Sequence, residues 1–300
     1  MEKITYPSCP NCLSFKWVSL KLKKGNFRLF LCSCCFNGFT YPSPKNFKKY
    51  YSDQYWISKG LVGSIKDTFY NIFQLRRKKW LTRVIFQGEV LDVGSGEGRF
   101  GKSLSDNYSV TNLDPFFNPP PGGEKGISVI KKNFLKWKTS QKFNAIVFWE
   151  SLEHVISPLA YMRKANKLLK KNGKIFIECP RFDSLESTIF GRNWFHLDMP
   201  RHVSHLTSKG IKILLIKSKF KDIQINSIIA PEYTLWGFIA SIFSFFSINV
   251  LDSVKSGNLI IFLITLPFVP ISLLAQSLFY FIGNTPLMLV TAKKMKEKPS

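Results

Sequence analysis

The feature that most constrains this 300-residue chain is an apolar run that ends in three closely spaced glycines, VLDVGSGEG at residues 90–98. Such a run predicts a β-strand that turns directly into a helix. Gly94, Gly96 and Gly98 have no Cβ, so the backbone of the turn can bend sharply and lie against a ligand. The pattern therefore predicts a nucleoside-binding turn at the end of a strand.

Apolar runs alternate with helical stretches from residue 88 to about 230. This alternation predicts βαβ units and hence an α/β fold with a parallel sheet. The predicted strands are 89–93, 109–113, 127–130, 144–149, 173–178 and 222–229. A last strand is predicted at 286–292, beyond a long apolar segment.

Two carboxylates accompany the glycine turn. Asp92 stands just before it, where a carboxylate can pair with an ammonium group, and Asp114 ends the next predicted strand. An acid at this second position can accept hydrogen bonds from both ribose hydroxyls. Dinucleotide sites favour G-x-G-x-x-G, whereas Gly98 follows Gly96 by two residues, so the spacing argues against a dinucleotide. The competing interpretation is an ordinary βα turn beside a surface acid.

Residues 91–96 together with Asp114 resemble motifs I and II of the class I S-adenosylmethionine (SAM)-dependent methyltransferases. Residues 143–155, FNAIVFWESLEHV, resemble the fourth strand and its loop in the ubiquinone-pathway-like branch, and residues 172–177 resemble the turn into the fifth strand. Residues 199–206, MPRHVSHL, are similar to a segment of a bacterial subgroup found in cell-surface polysaccharide gene clusters. The resemblance implies a Rossmann-like sheet of seven strands whose last two strands form an antiparallel hairpin.

The same resemblance implies a set of SAM contacts. The methionine part would be bound by Asp92, Gly94, Ser95, Gly96 and Gly98, and the ribose by Asp114. Asn133 and Phe134 would border the adenine, while Trp149 and Glu150 would line the sulfonium side. The chain departs from its relatives at Asn144 and Asn133, where Asp is usual.

Methyl transfer by in-line displacement requires alignment of the two reactants, and a base helps when the acceptor is a hydroxyl. All four histidines follow the fourth predicted strand, on connections expected to form the acceptor side. The candidate bases are His154, His196, His202, His205, Glu150 and Glu153. We single out His196 and His202 as catalytic candidates; the alternative for His202 is a hydrogen bond to backbone only.

Five of the six cysteines fall within the first 35 residues, and Cys9, Cys12, Cys32 and Cys35 form two C-x2-C pairs. Two such pairs on β-hairpins supply four thiolates to a tetrahedral zinc ion and leave no open position, so the predicted site is structural. Residues 1–45 are therefore predicted to be a zinc-ribbon-like module. Cys34 is a possible substitute ligand, and the alternative interpretation is a remnant without metal.

An apolar segment, residues 235–284, separates the last two predicted strands. Residues 235–251 and 259–282 carry no charge, but Pro267 and Pro270 interrupt any straight helix. In the implied fold this insertion leaves from the carboxyl edge of the sheet, where ligands bind. We predict a helical hairpin that lies in one membrane leaflet. Two full membrane spans, a buried cap and a dimer interface are the alternatives.

The formal charge of +24 would suit an anionic partner, but only nine of the 43 basic residues are Arg and they form no strip with aromatic residues. We therefore expect a membrane surface as partner rather than nucleic acid. The chain begins without an apolar signal segment, so a cytoplasmic location at the inner face of the cell membrane is expected, peripheral or monotopic.

The predicted organisation has four parts: the cysteine module, a helical lead-in at 46–86, a SAM-dependent methyltransferase domain at 87–234 and 285–295, and the insertion. The predicted activity is methyl transfer from SAM to a small-molecule or lipid-linked saccharide acceptor, at a hydroxyl of a membrane-associated or surface-polysaccharide-related sugar. Alternatives are a quinone-precursor O-methyltransferase, a sugar C-methyltransferase and a SAM-binding or zinc adaptor without catalysis.

Overall fold

The computed structural model describes residues 7–50, 73–104, 107–116, 126–250 and 258–295. The strands are β1 (Trp17–Lys24), β2 (Phe27–Cys32), β3 (Gly38–Tyr41), β4 (Gly88–Val93), β5 (Tyr108–Leu113), β6 (Ile127–Ile130), β7 (Phe143–Trp149), β8 (Leu169–Pro180), β9 (Ser204–His205), β10 (Phe220–Ile228) and β11 (Leu287–Lys294). The helices are α1 (73–82), α2 (Arg99–Ser103), α3 (Pro158–Leu168), α4 (Leu185–Phe190), α5 (Ser208–Lys217), α6 (Pro231–Ser244), α7 (Leu259–Thr265) and α8 (Phe268–Phe281). Short 3-10 helices include Leu152–His154 and Phe195–Leu197.

Seven strands form one sheet in the order β10-β11-β8-β7-β4-β5-β6. The pairs among β4, β5, β6, β7 and β8 are parallel, whereas β11 runs antiparallel to both β8 and β10. The α/β prediction and the antiparallel last hairpin are therefore confirmed. The prediction placed the start of the fifth strand at residue 173, but β8 begins at Leu169, because its register against β7 shifts between Phe143 and Ala145 and accommodates the expected turn as a bulge.

The core of this sheet follows the two-residue period of β7. Ala145 and Val147 face one apolar cluster, while Ile146 and Phe148 face the other, and all four side chains are fully buried. The first cluster includes residues of α1 and α2, and the second includes residues of α3 and α5. Burial on both faces explains why β7 is a continuous apolar run rather than an alternating one.

The cysteine module is an antiparallel sheet in the order β1-β2-β3-β9. Its last strand comes from the distant segment that precedes α5: Gly38 pairs with His205 and Phe39 with Ser204. The module is thus joined by backbone hydrogen bonds to the segment between β8 and α5. Of the predicted lead-in, residues 51–72 lie outside the described residues.

Three helices, α6, α7 and α8, occupy the segment between β10 and β11, which confirms a helical insertion at this point. It begins at Pro231, a few residues earlier than predicted, since Pro231 fits the first turn of α6. Among the described residues, none of the helices has both the length and the apolar character needed to span a bilayer. Of the residues between the two uncharged stretches, 252–257 lie outside the described residues.

Candidate active site

The glycine turn places backbone, rather than side chains, at the end of β4. Gly94, Gly96 and Gly98 all have positive φ angles, of 77°, 55° and 74°. A Cβ on Gly94 would lie 2.5 Å from the Cβ of Ser151, whose hydroxyl donates a 2.7 Å hydrogen bond to the carbonyl of Val93. Only glycine therefore fits where the first turn of the loop packs against the end of β7.

A cavity opens at this carboxyl edge of the sheet, between the glycine turn, the end of β7, α1 and the start of α6. Most of the residues that line it are polar or charged. The lining residues are Gln74, Arg77, Asp92, Gly94, Ser95, Gly96, Glu97, Arg99, Phe100, Trp149, Glu150 and Tyr233. Six of the ten residues predicted to bind the cofactor are among them. An opening at the carboxyl ends of parallel strands is the usual ligand position in such sheets.

Asp92 is a buried acidic residue in the lining of this cavity. Only 1% of it is exposed, and its Oδ1 atom makes no hydrogen bond to any described residue. Burial raises the pKa of the carboxyl to about 7, against the opposing effect of Arg77. A buried carboxylate oxygen without a donor is destabilising, and a cationic ammonium group is a suitable partner for it. The residues present thus fit the amino acid end of SAM.

Asp114 stabilises the glycine turn through a hydrogen bond from its backbone. Its Oδ2 accepts a 3.1 Å hydrogen bond from the Gly96 amide, and its Oδ1 accepts one of 2.7 Å from the Phe116 amide. Carboxylate oxygens accept more than one hydrogen bond, so room for ribose hydroxyls remains. Neither Asp114 nor Gly98 lines the cavity; Gly98 instead precedes α2 as its N-cap.

The two residues predicted to border the adenine differ in burial, since Asn133 is exposed and Phe134 is buried. Asn133 donates to the Tyr161 hydroxyl at 3.3 Å and accepts a hydrogen bond from the Leu135 amide at 3.0 Å. Phe134 is buried against Tyr161, with ring centroids 5.2 Å apart. Neither lines the cavity, so their contact with adenine stays a prediction.

Glu150 and Trp149 do line the cavity, at the end of β7. Glu150 has a φ of 48°, and its amide donates to the carbonyl of Glu178 at 2.9 Å. Burial, together with the nearby charges of Glu153 and Glu178, holds the pKa of the Glu150 carboxyl well above its ordinary value. The cavity thus disfavours the ionised form of this second acidic group.

Six cavity residues were not predicted from the sequence: Gln74, Arg77, Glu97, Arg99, Phe100 and Tyr233. Arg77 donates a 2.7 Å ionic hydrogen bond to Glu178, and its guanidinium lies 5.4 Å from the centre of the Trp149 ring. Although burial alone would raise it, Arg77 and Arg76 hold the pKa of Glu178 below its ordinary value. Two adjacent arginines in α1 were the available signal, but only the fold shows that Arg77 is buried and Arg76 partly buried.

The two catalytic candidates lie beyond the lining of this cavity, under α6. His196 is buried, and a Cβ on Gly237 of α6 would lie 3.1 Å from its Nε2. His202 meets the carbonyl of His196 through its Nδ1 at 2.7 Å. Burial lowers the pKa of His196 to about 3 and that of His202 to about 4, so both imidazoles are neutral at physiological pH. Their role as bases stays a prediction.

The four predicted zinc ligands converge in the cysteine module. Cys9, Cys12, Cys32 and Cys35 are buried, and their sulfur atoms lie within 4.8 Å of one another. The Cys9–Cys35 and Cys12–Cys32 sulfur pairs are 3.6 and 3.5 Å apart. Tetrahedral zinc with Zn–S bonds near 2.3 Å requires sulfurs about 3.8 Å apart, so the four thiols fit the ion. Cys34 is exposed, with its sulfur 3.1 Å from the Ser14 hydroxyl.

Comparisons with known proteins agree with this geometry. The profile of a family described as a methyltransferase domain matches residues 70–225, more than half of the chain. A solved phosphoethanolamine N-methyltransferase 2 from Haemonchus contortus, bound to phosphomonomethylethanolamine and S-adenosylhomocysteine, aligns with a TM-score of 0.52 and 12% identity over 93% of this chain and 71% of its own. A SAM-dependent methyltransferase from Archaeoglobus fulgidus aligns with a TM-score of 0.47 and 16% identity, over 78% of this chain and all of its own.

A search of the curated proteins finds no match. The family match covers the glycine turn, five complete strands of the large sheet and every cavity-lining residue except Tyr233. The chain therefore belongs to the class I SAM-dependent methyltransferases, and its seven-stranded sheet has their Rossmann-like order.

Proposed function

We propose that this methyltransferase acts at the inner face of the cell membrane, on a hydroxyl of a lipid-linked or surface-polysaccharide-related sugar. The observation that carries the proposal is that the cavity and the apolar insertion are continuous. Tyr233 lines the cavity, and it belongs to the first turn of α6, the helix that begins the insertion. An acceptor held beside the insertion would thus lie near the cofactor.

The outer surface of α7 and α8 is apolar. Its exposed large side chains include Ile260, Leu263, Ile264, Ile271, Leu273, Leu274, Leu278 and Phe281. Leu274 and Phe281 are 74% and 85% exposed, and α7 and α8 contain no charged residue. Large contiguous apolar patches mark interaction surfaces rather than ordinary solvent-facing ones.

A lipid surface is the occupant to which we assign this patch. The helices are too short to cross a bilayer, which suits a segment lying in one leaflet. The net charge of +24 is complementary to anionic lipids, whose attraction is worth about 1 kcal/mol for each well-placed basic residue. A protein partner or a second copy would need no such charge.

The chain's own residues prepare the cavity for the methyl donor. SAM, when bound, supplies an electrophilic methyl group. Asp92 would pair with its ammonium group, Gly94, Ser95, Gly96 and Gly98 would admit the methionine part, and Asp114 would bind the ribose. Asn133 and Phe134 would lie towards the adenine, and Trp149 and Glu150 towards the sulfonium. Alignment of acceptor and donor, rather than covalent catalysis by the protein, then provides most of the rate.

On the acceptor side, His196 and His202 are the proposed bases. Both are neutral, so each can take the proton of an acceptor hydroxyl, although their low pKa values make them weak bases. The zinc ion that we assign to Cys9, Cys12, Cys32 and Cys35 would be structural, since four protein ligands close its coordination.

The test is incubation of the purified chain with methyl-labelled SAM and bacterial membrane extract. We expect label in an organic-phase product that mild acid cleaves to a labelled sugar. The Asp92→Asn variant, matched in size and lacking the charge, should incorporate far less label.

Label that stays in water-soluble products, or that appears in polyprenyl phenols, would contradict the sugar-lipid acceptor and favour the quinone-precursor alternative. SAM binding without any transfer would favour the adaptor alternative.

A further inference from the structure

A second group of possible metal ligands lies apart from the cysteines. Glu153 and His154 follow β7 in the 3-10 helix Leu152–His154, and His202 stands two residues before β9. One ligand atom from each of the three lies within 4.8 Å of the others. The two imidazole rings meet edge to face, with centroids 4.7 Å apart. Residues from two separate segments thus converge on one point.

Backbone carbonyls fix the tautomer of both rings. The Nδ1 of His154 lies 3.1 Å from the carbonyl oxygen of Arg201, and the Nδ1 of His202 lies 2.7 Å from that of His196. A carbonyl only accepts, so each Nδ1 carries the hydrogen, and in a neutral ring Nε2 carries the lone pair. A histidine that binds a metal usually donates its other ring N–H in this way.

Glu153 is the acidic residue of this group of possible ligands. It is 2% exposed, and neither carboxylate oxygen hydrogen-bonds to a described residue. Its Oε1 lies 3.9 Å from the Nε2 of His154. A buried negative charge without a compensating partner is destabilising. The carboxylate and both imidazoles can bind one cation at the same time, whereas a single proton can be shared by only two of these three groups.

The nearby charges are compatible with a cation. Arg201 lies close to the cluster, but Asp198 pairs with it at 2.7 Å and also lies 3.9 Å from the Nε2 of His202. Glu150, whose charge interacts with that of Glu153, lines the SAM cavity. The cluster therefore adjoins the cavity on the side of β7.

We propose that Glu153, His154 and His202 form a binding site for one divalent transition-metal cation. Two imidazoles and one carboxylate are a ligand set that leaves open coordination positions. A hydroxyl oxygen of the acceptor can occupy such a position. With the ion bound to the Nε2 of His202, His196 is the one of the two proposed bases that can still accept a proton. This role in the reaction, unlike the binding of the ion, rests on the proposed function.

The test is a titration of the purified full-length chain with Mn²⁺. The EPR signal of the free ion measures how much Mn²⁺ remains unbound. Mn²⁺ prefers nitrogen and oxygen ligands, so it does not compete for the four thiolates. We expect saturation at one ion per chain. Glu153→Gln and His202→Asn should each weaken binding by roughly tenfold or more, since even the loss of a supporting partner weakens metal binding to that extent.

Glu186→Gln is the matched control. Glu186 is also a buried carboxylate, held by Trp194 and Gln276, and its change should leave Mn²⁺ binding unaltered. The proposal is overturned if both site variants bind Mn²⁺ as the unaltered chain does. It is also overturned if the unaltered chain binds neither Mn²⁺ nor Ni²⁺. The readout requires neither SAM nor an acceptor, so it stands apart from the test of methyl transfer.

Discussion

The seven-stranded sheet and the helical insertion are built from similarly apolar sequence, but they use it in opposite ways. On β7, the side chains of residues 145–148 are all fully buried. On α8, Leu274 and Phe281 are largely exposed, while the buried positions are Ser272, Gln276 and Phe279. The sheet turns its apolar groups inwards, whereas the last helix of the insertion turns many of them outwards.

The difference shows that apolar composition alone does not distinguish a core from a docking surface. Polar contacts hold the inner face of α8 in place: Gln276 donates to Glu186 at 2.7 Å, and Ser272 donates to the carbonyl of Leu235 in α6 at 3.0 Å. Specific hydrogen bonds therefore fix which face of the helix points outwards. The outer face is left for the surface that we assign to lipid.

The largest expected effect is on the free energy of unfolding, which should respond to a substitution in the sheet but hardly to one on the outer face of the insertion. Phe148→Ala should lower the free energy of unfolding by about 3–5 kcal/mol, because it leaves a cavity in the core of the sheet. Leu274→Ala removes a comparable apolar group from an exposed position and should change it by about 0.5 kcal/mol or less. Urea unfolding followed by circular dichroism measures both. Comparable losses would show that the outer face of α8 is packed against something in the free chain.

The next effect concerns Asp92, a buried acidic residue at the end of β4. Asp92→Asn should weaken SAM binding by roughly ten- to hundredfold, since interactions with charged groups contribute about 1.5–3 kcal/mol. Isothermal titration calorimetry gives the affinity. Asp222→Asn, a change at an exposed acid of β10, should leave it unaltered.

The same site predicts a pH dependence. The pKa of Asp92 is raised to about 7, so the free protein binds a proton there below that pH. SAM requires the ionised carboxylate, and its affinity should therefore fall as the pH decreases below about 7 and level off above it. Asp92→Asn should abolish this dependence. An affinity that falls with rising pH over this range would contradict the assignment.

A smaller effect is expected at the membrane. Phe281→Ser should weaken binding to vesicles that contain anionic lipid by roughly tenfold, equivalent to about 1.4 kcal/mol from a partly inserted side chain. Phe15→Ser is the matched control, because Phe15 is 71% exposed but lies in the cysteine module. Co-sedimentation measures both. If the two variants bind equally well, the insertion is not the docking surface.

The smallest expected effect tests the inner face of the insertion. Ser272→Ala removes the hydrogen bond from α8 to α6 and leaves the Leu235 carbonyl without this donor. We expect a loss of about 0.5–1.5 kcal/mol in the free energy of unfolding. Ser277→Ala is the control, since the exposed Ser277 hydroxyl donates only within its own helix. Equal effects would show that the contact between α6 and α8 does not order the insertion.

Much of the sheet was predictable because its signals are local. Glycine turns and apolar runs depend on neighbouring residues, and the predicted strand at 109–113 differs from β5 by one residue. The four cysteines converge as predicted because their spacing already constrains the two pairs.

The parts that were not predicted depend on distant contacts. Nothing near Ser204 in the sequence indicates that it pairs with Phe39 and completes the sheet of the cysteine module. Arg77 and Tyr233 reach the cavity from α1 and α6, which only the folded chain brings together. Residues 169–172 likewise belong to β8 through pairing with β7 around the predicted turn, and this pairing was not predicted.

The central claim is that methyl transfer takes place where the insertion meets the membrane. The most direct measurement is the rate of label transfer from SAM to membrane extract by Phe281→Ser, made alongside its SAM affinity. We expect the rate to fall in proportion to vesicle binding while the SAM affinity is unchanged. An unchanged rate in a variant that no longer binds vesicles would contradict it.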